Sequence, residues 1–77
     1  MKWIVAWVNY QEDGWDMDGK QGYAVLHGNV NDEFPEWVTR IMTSYEDKQR
    51  AVDFAIAQSK ETNRQVWYIE GEFNRLF

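Results

Sequence analysis

The stretch "KWIVAWVNY", Lys2–Tyr10, determines the predicted fold because it is apolar on both of its sides. Trp, Ile and Val favour strands, and the stretch is too short to indicate a helix. Successive side chains of a strand point to opposite faces. One face therefore carries Trp3, Val5 and Trp7, and the other carries Ile4, Ala6, Val8 and Tyr10. A strand that is apolar on both faces is typical of a sheet centre or of a face covered by a partner.

Two further strands are predicted after this one. Residues 23–30, "YAVLHGNV", form the second, and Gly28 within it indicates a bulge or a close backbone approach. The segment "EWVTRIMTS", residues 36–44, has a helical spacing of apolar residues but also many strand-favouring ones. We predict a strand over 36–43, with a helix as the alternative.

A helix is predicted over residues 45–62, with Ser44 or Thr43 as its N-cap and Asn63 as a left-handed C-cap. Its apolar stripe consists of Ala51, Val52, Ala55, Ile56 and Ser59. The last strand covers residues 65–73. The chain is therefore expected to be one α+β domain, residues 1–77, with the order βββαβ. The expected four-stranded sheet is mainly antiparallel, with strand order 3-2-1-4, and its last strand runs parallel to the first through a right-handed helical crossover.

One helix covers only one face of such a sheet. Because Ala51 and Ala55 permit close approach, we expect the helix on the more aliphatic face, made of Ile4, Ala6, Val8, Ala24, Leu26, Trp67, Ile69 and Phe73. The opposite face then carries a surplus of aromatic residues, namely Trp3, Val5, Trp7, Tyr23, Val25, His27 and Tyr68, with Glu70 nearby. An apolar patch of that size is typical of a binding surface. The alternative is that loops or chain termini fold over this face and bury it.

Composition excludes several classes of function. The chain has no cysteine, so disulfides and thiolate metal sites are excluded, and a reducing, cytoplasmic location is expected. The net charge is −5, and the basic residues are scattered among acids, which disfavours nucleic-acid binding. No apolar run reaches the length of a membrane span, and the first ten residues lack the small-residue cleavage site of a signal peptide.

The loop "EDGWDMDGKQG", residues 12–22, is predicted to be the hairpin tip between the first two strands. Its acids do not match a calcium-binding loop, because the twelfth position falls on Val25 rather than on a glutamate. We therefore expect no metal and no cofactor. Trp15 is expected either to anchor a partner as a docking finger or to fold back over the open sheet face, and an acidic rim is expected from Glu12, Asp13, Asp16 and Asp18. His27, the only histidine, has no nucleophile motif beside it, so an enzyme is not expected.

These patterns resemble no particular family and favour a non-enzymatic protein-binding domain. It would be an adaptor or an inhibitor, in the style of phage inhibitors of host machinery, that docks on a larger protein through Trp3, Trp7, Trp15, Tyr23, His27 and Tyr68. The first alternative is a homodimerising module that uses the same face. Further alternatives are single-strand nucleic-acid binding by base stacking, which the charge disfavours, and DNA mimicry by the acidic loops.

Overall fold

The computed structural model describes residues 1–10 and 20–77. Within them the chain forms five strands and one helix: β1 Lys2–Tyr10, β2 Lys20–Gly28, β3 Val38–Tyr45, α1 Lys48–Thr62, β4 Gln65–Glu70 and β5 Glu72–Arg75. The strands make one mixed sheet in the order β3-β1-β2-β4-β5, and α1 packs on it. The α+β class is therefore confirmed, while the four-stranded order 3-2-1-4 is wrong in detail.

The strand order differs from the prediction in the neighbours of β1 and β2. β1 pairs antiparallel with both β2 and β3, so β3 joins β1 rather than β2. β4 lies beside β2 and runs parallel to it, not to β1. Gly22 is the residue that permits this approach, because a Cβ atom there would overlap the backbone of Gln65 and its φ is 149°.

The predicted last strand is two strands in the structure. β4 ends at Glu70 and β5 begins at Glu72, and these two residues pair across the turn. Gly71 forms the turn with a φ of 75°, a value that residues with a Cβ rarely adopt. The chain end therefore supplies an antiparallel edge strand that returns along β4.

The third strand is confirmed, but it continues further along the chain than predicted. Thr43 and Ser44 pair with β1, so neither of them caps the helix. The N-cap is Asp47, whose carboxylate accepts a hydrogen bond from Gln49 N at 3.3 Å. The predicted C-cap is confirmed, because Asn63 has the left-handed φ of 56° and donates its N–H to Ser59 O.

Alternation correctly predicts which residues share each face of the sheet. The helix, however, packs on the aromatic face and not on the aliphatic face where it was expected. Helix residues Ala51 and Ala55 are buried in one cluster with the sheet residues Val5, Tyr23, Val25 and Val66. Trp3, Trp7 and Tyr68 pack against the same cluster and are partly buried. The expected open aromatic face is thus the helix-covered face. Small helix residues fit a face whose centre is valine and whose large rings lie around that centre.

The aliphatic face is covered instead by an irregular segment and by β5. Its buried residues are Ile4, Ala6, Val8, Ala24, Leu26 and Trp67, and packed against them are Phe34, Trp37, Val38, Ile69 and Phe73. The side chain of Asp32 accepts from Asn29 N at 2.9 Å and closes the turn that precedes Phe34. Gly28 pairs in register with Lys2, so it forms no bulge. The close approach at Gly28 is that of a side chain, because a Cβ there would lie 3.3 Å from Asp32 Oδ2, whereas its 3.9 Å to the Phe34 ring would be an ordinary contact.

Candidate functional site

The structure divides the predicted docking residues into two groups on the helix side of the sheet. Trp3 pairs with His27 at one end of the β1–β2 ladder, and Trp7 pairs with Tyr23 four residues further along. Tyr68 lies beside Trp3, with 6.2 Å between ring centroids. Trp15 and the acids Glu12, Asp13, Asp16 and Asp18 lie outside the described residues. Helix α1 packs over this face, so the groups do not form one open surface.

The first group, Trp3, His27 and Tyr68, is named here the stacked rim. The rings of Trp3 and His27 are almost parallel, at an interplanar angle of 11° and a centroid distance of 4.1 Å. They stack because they are cross-strand partners, whose side chains lie on the same face at close distance. His27 is exposed, whereas Trp3 and Tyr68 are partly buried. The rim is therefore an ordered aromatic surface with an imidazole facing solvent.

Charged groups surround the stacked rim. The Lys48 ammonium lies 4.1 Å from the centroid of the Tyr68 ring and 5.6 Å from that of Trp3. The Tyr68 hydroxyl donates to Glu70 Oε2 at 2.9 Å. This hydrogen bond raises the pKa of Tyr68, because the carboxylate stabilises the protonated phenol, and burial and the Glu70 charge act in the same direction.

Near the same end of β1, Lys2 Nζ and Glu46 Oε1 form an ion pair at 3.0 Å. The hydrogen bond from Lys2 and its charge lower the pKa of Glu46. Both side chains are exposed enough that the pair contributes little to stability. It links β1 to the segment between β3 and α1.

The second group consists of Trp7 and Tyr23, which meet edge to face at 5.2 Å and 85°. The Tyr23 hydroxyl lies 3.4 Å from Thr62 Oγ1 at the end of α1. The Arg64 guanidinium carbon lies 5.6 Å from the centroid of the Trp7 ring. Tyr23 is only 6% exposed, so it is a core residue rather than a docking residue in the isolated chain.

A cavity of about 360 Å³ opens beside this second group. It is lined by Trp7, Tyr23, Thr39, Arg40 and Met42. A neighbouring cavity of about 400 Å³ is lined by Asn9, Tyr10, Glu36, Trp37 and Thr39, so Thr39 lies between the two. Sequence patterns did not indicate either cavity, because both depend on how β3 pairs with β1.

Basic side chains lie over aromatic rings in several places, which the sequence analysis missed. The pairs are Lys48 with Tyr68 and Trp3, Arg50 with Tyr45, Lys60 with Phe77, Arg64 with Trp7, and Arg75 with Trp67. The Lys48 and Arg64 pairs join residues that are distant in the sequence, whereas Arg75 and Trp67 are cross-strand partners of β5 and β4. In each pair the chain's own cation therefore lies over one face of the ring.

Comparisons of the chain with protein-family models, with curated proteins and with solved structures found no match. In residues 1–10 and 20–77, no three acidic or histidine side chains come together to hold a metal ion. In the same part of the chain, no helix has the length and apolar character needed to cross a membrane. The proposals below are therefore based on the geometry of the stacked rim and of the pair formed by Trp7 and Tyr23.

Proposed function

We propose that the chain is a non-enzymatic protein-binding domain, an adaptor or an inhibitor, that docks on a larger protein through the stacked rim. The observation that carries the proposal is the parallel stack of exposed His27 on Trp3, with Tyr68 beside it. Trp and Tyr dominate the energetics of protein interfaces because they bury a large area with few rotatable bonds. A stack that is already ordered loses little conformational entropy on binding.

The rim is smaller than the docking surface that the sequence suggested. Tyr23 is buried and Trp7 lies beside α1, so both act first as packing residues. Tyr10 and Lys20, the described residues that flank residues 11–19, pair with each other, whereas the rim residues pair as Trp3 with His27. Seven residues of strand separate these pairs, which corresponds to roughly 23 Å.

The rim is tested by affinity capture from the source cell with His27→Ala as the variant. Since His27 is exposed, its truncation should leave the domain folded, which circular dichroism checks. Glu61→Ala is the matched control, because Glu61 is also exposed and lies near the end of α1. We expect the wild type and the control to capture the same protein and His27→Ala to lose it.

Two results would count against the proposal. Equal capture by His27→Ala and the wild type would show that the partner binds elsewhere. Sedimentation of the purified wild type as a dimer, reverting to a monomer in His27→Ala, would assign the rim to self-association instead.

A further inference from the structure

We propose that the cavity lined by Trp7, Tyr23, Thr39, Arg40 and Met42 binds a small anion with an apolar body, of the class of aromatic carboxylates. Its volume of about 360 Å³ lies in the range of ligand pockets, which is roughly 300–1,000 Å³. The rings of Trp7 and Tyr23 and the thioether of Met42 provide an apolar wall. Arg40 provides the cationic part of the lining. An apolar wall with few polar groups is the usual composition of a small-molecule site.

The path of β3 shows how this lining forms. In an unbroken strand, Thr39 would point away from the face that carries Arg40 and Met42. The pairing of β3 with β1 shifts register twice, opposite Val5/Ala6 and opposite Trp7/Val8. The unpaired extra residues at these shifts are Met42 and Thr39, and both line the cavity. Bulges of this kind occur next to active and binding sites, where they re-aim side chains.

The charges around the cavity point to an anionic ligand. Arg40 is the cross-strand partner of Trp7, and the Arg64 guanidinium carbon lies 5.6 Å from the centroid of the same indole ring. Among the described residues neither arginine forms an ion pair, although the whole chain carries a net charge of −5. Arg40 is therefore a cation in the cavity lining that has no carboxylate paired to it among the described residues, and an anionic ligand would supply that partner.

A carboxylate suits this site because its two oxygens match the planar guanidinium of Arg40. An aromatic body would lie against Trp7 and the Met42 sulfur, both of which interact favourably with rings. The site is distinct from the stacked rim, since Trp7 lies four positions beyond Trp3 along β1. This inference therefore stands or falls independently of the proposed docking function.

The test is a nuclear magnetic resonance titration of the whole chain with sodium benzoate, followed on the Trp7 indole N–H and the Met42 methyl group. We expect saturable shifts with a Kd of about 1–10 mM, as suits a ligand of this size. Benzamide has the same shape without the charge, and inorganic phosphate has the charge without the ring. Both should bind at least about tenfold more weakly.

Arg40→Gln should weaken benzoate binding by about tenfold or more, and since Arg40 is exposed the variant should remain folded. Arg50→Gln is the matched control, because Arg50 is also an exposed arginine but lies over Tyr45, with 5.5 Å to the ring centroid. The proposal is overturned if benzoate causes no saturable shift, if benzamide or phosphate binds as tightly, or if Arg40→Gln binds like the wild type. It is also overturned if Arg50→Gln weakens binding as much as Arg40→Gln does.

Discussion

The two faces of the sheet are buried by different means. On one face a regular helix places Ala51 and Ala55 over Val5 and Val25, and none of the four is exposed. Large rings lie around that contact and fill the space between helix and sheet. On the opposite face no helix is packed among the described elements, and the cover comes from single aromatic rings on an irregular segment and on β5.

The aromatic rings that cover the second face also contact one another. Trp37 contacts Tyr10 at 5.5 Å and Phe73 at 5.1 Å between centroids, and Phe73 lies 6.0 Å from Trp67. Phe34 packs against the same face from the irregular segment, with its ring close to Gly28. A short irregular segment can therefore complete a hydrophobic layer if it carries enough large rings.

The two faces also differ in how well their buried polar groups are hydrogen-bonded. Under the helix, the Ser59 hydroxyl is fully buried but donates to Ile56 O at 2.7 Å, since a helix supplies backbone acceptors to its own side chains. On the opposite face, the indole N–H of Trp67 is buried and has no hydrogen-bond partner among residues 1–10 and 20–77. Rings offer few acceptors, so a face covered by rings is less able to satisfy a buried donor. We conclude that buried polar groups are better hydrogen-bonded on the helix face than on the ring-covered face.

The largest expected effect is that of Trp7→Ala on the helix face. The truncation removes a large ring that contacts Tyr23 and Arg64. It should lower the free energy of unfolding by about 3 kcal/mol, the lower end for such truncations because Trp7 is only partly buried. A domain of this size is stable by only a few kcal/mol, so the variant should be largely unfolded by circular dichroism at room temperature. A cooperative melt close to that of the wild type would show that the helix face does not depend on this ring.

The partition of residues between the faces could be predicted from the sequence, but the position of the helix could not. Alternation in β1 places Trp3 and Trp7 on one face and Ile4 and Val8 on the other, and packing confirms both sets. Both faces are apolar, however, so the pattern contains no information on which of them receives α1. That choice depends on how the small helix residues fit the valine centre of one face.

The candidate site was predicted less well than the fold. Alternation places Trp3 and His27 on one face, but their pairing could not be predicted, because β2 is Lys20–Gly28 rather than residues 23–30 and begins inside the loop predicted over residues 12–22. The cavity depends on two register shifts of β3, and the arginine that lies over its Trp7 wall, Arg64, comes from beyond the helix. Bulges arise from tertiary contacts and have no signature in the segment "EWVTRIMTS". For that reason Arg40 and Met42 were not recognised as site residues.

Ala55→Leu tests the centre of the helix face. Ala55 is fully buried between α1 and the sheet, and a larger side chain would push the helix away from Val5 and Val25. The free energy of unfolding should fall by about 1–3 kcal/mol, measured by urea denaturation. Ala57→Leu is the matched control, since Ala57 is exposed on the same helix and should tolerate leucine. Equal stability of the two variants would mean that helix and sheet are not in close contact at Ala55.

Asp47→Ala tests the N-cap of α1 and changes no residue that packs on either face of the sheet. Loss of the hydrogen bond from Gln49 N should cost about 1 kcal/mol, the usual value of an N-cap, and lower the thermal midpoint accordingly. Asp53→Ala is the control, because Asp53 is an exposed aspartate inside the same helix. A cost at Asp53 as large as that at Asp47 would contradict the assignment of the N-cap.

Trp67→Phe examines the ring-covered face. The substitution removes ring contacts with Phe73 but also removes the buried N–H that has no partner. These changes oppose each other, so the free energy of unfolding should change by less than about 1.5 kcal/mol in a thermal or urea melt. A loss above about 3 kcal/mol would show that the indole N–H is satisfied in solution, and that the ring-covered face is as well satisfied as the helix face.

The smallest effect is expected at the edge of the helix face, where Glu70→Gln should shift the titration of Tyr68. The carboxylate accepts the Tyr68 hydrogen bond at 2.9 Å and raises the pKa of Tyr68 above its ordinary value of 10.0. A neutral amide at position 70 removes the charge of Glu70 and replaces the carboxylate by a weaker hydrogen-bond acceptor. The Tyr68 pKa should therefore fall in this variant.

The sign of the pH dependence follows from the same contacts. A pKa that folding raises contributes stability that is present below about pH 10 and is lost as the pH rises through the folded value. The wild type should lose this contribution in alkaline solution, and Glu70→Gln should show less of that loss. The measurement is a pH titration of the Tyr68 ring by nuclear magnetic resonance, with Glu61→Gln as a control that removes a distant carboxylate. An unchanged Tyr68 midpoint in Glu70→Gln would mean that the hydrogen bond between Tyr68 and Glu70 does not form in solution, and that Glu70 does not contact the stacked rim.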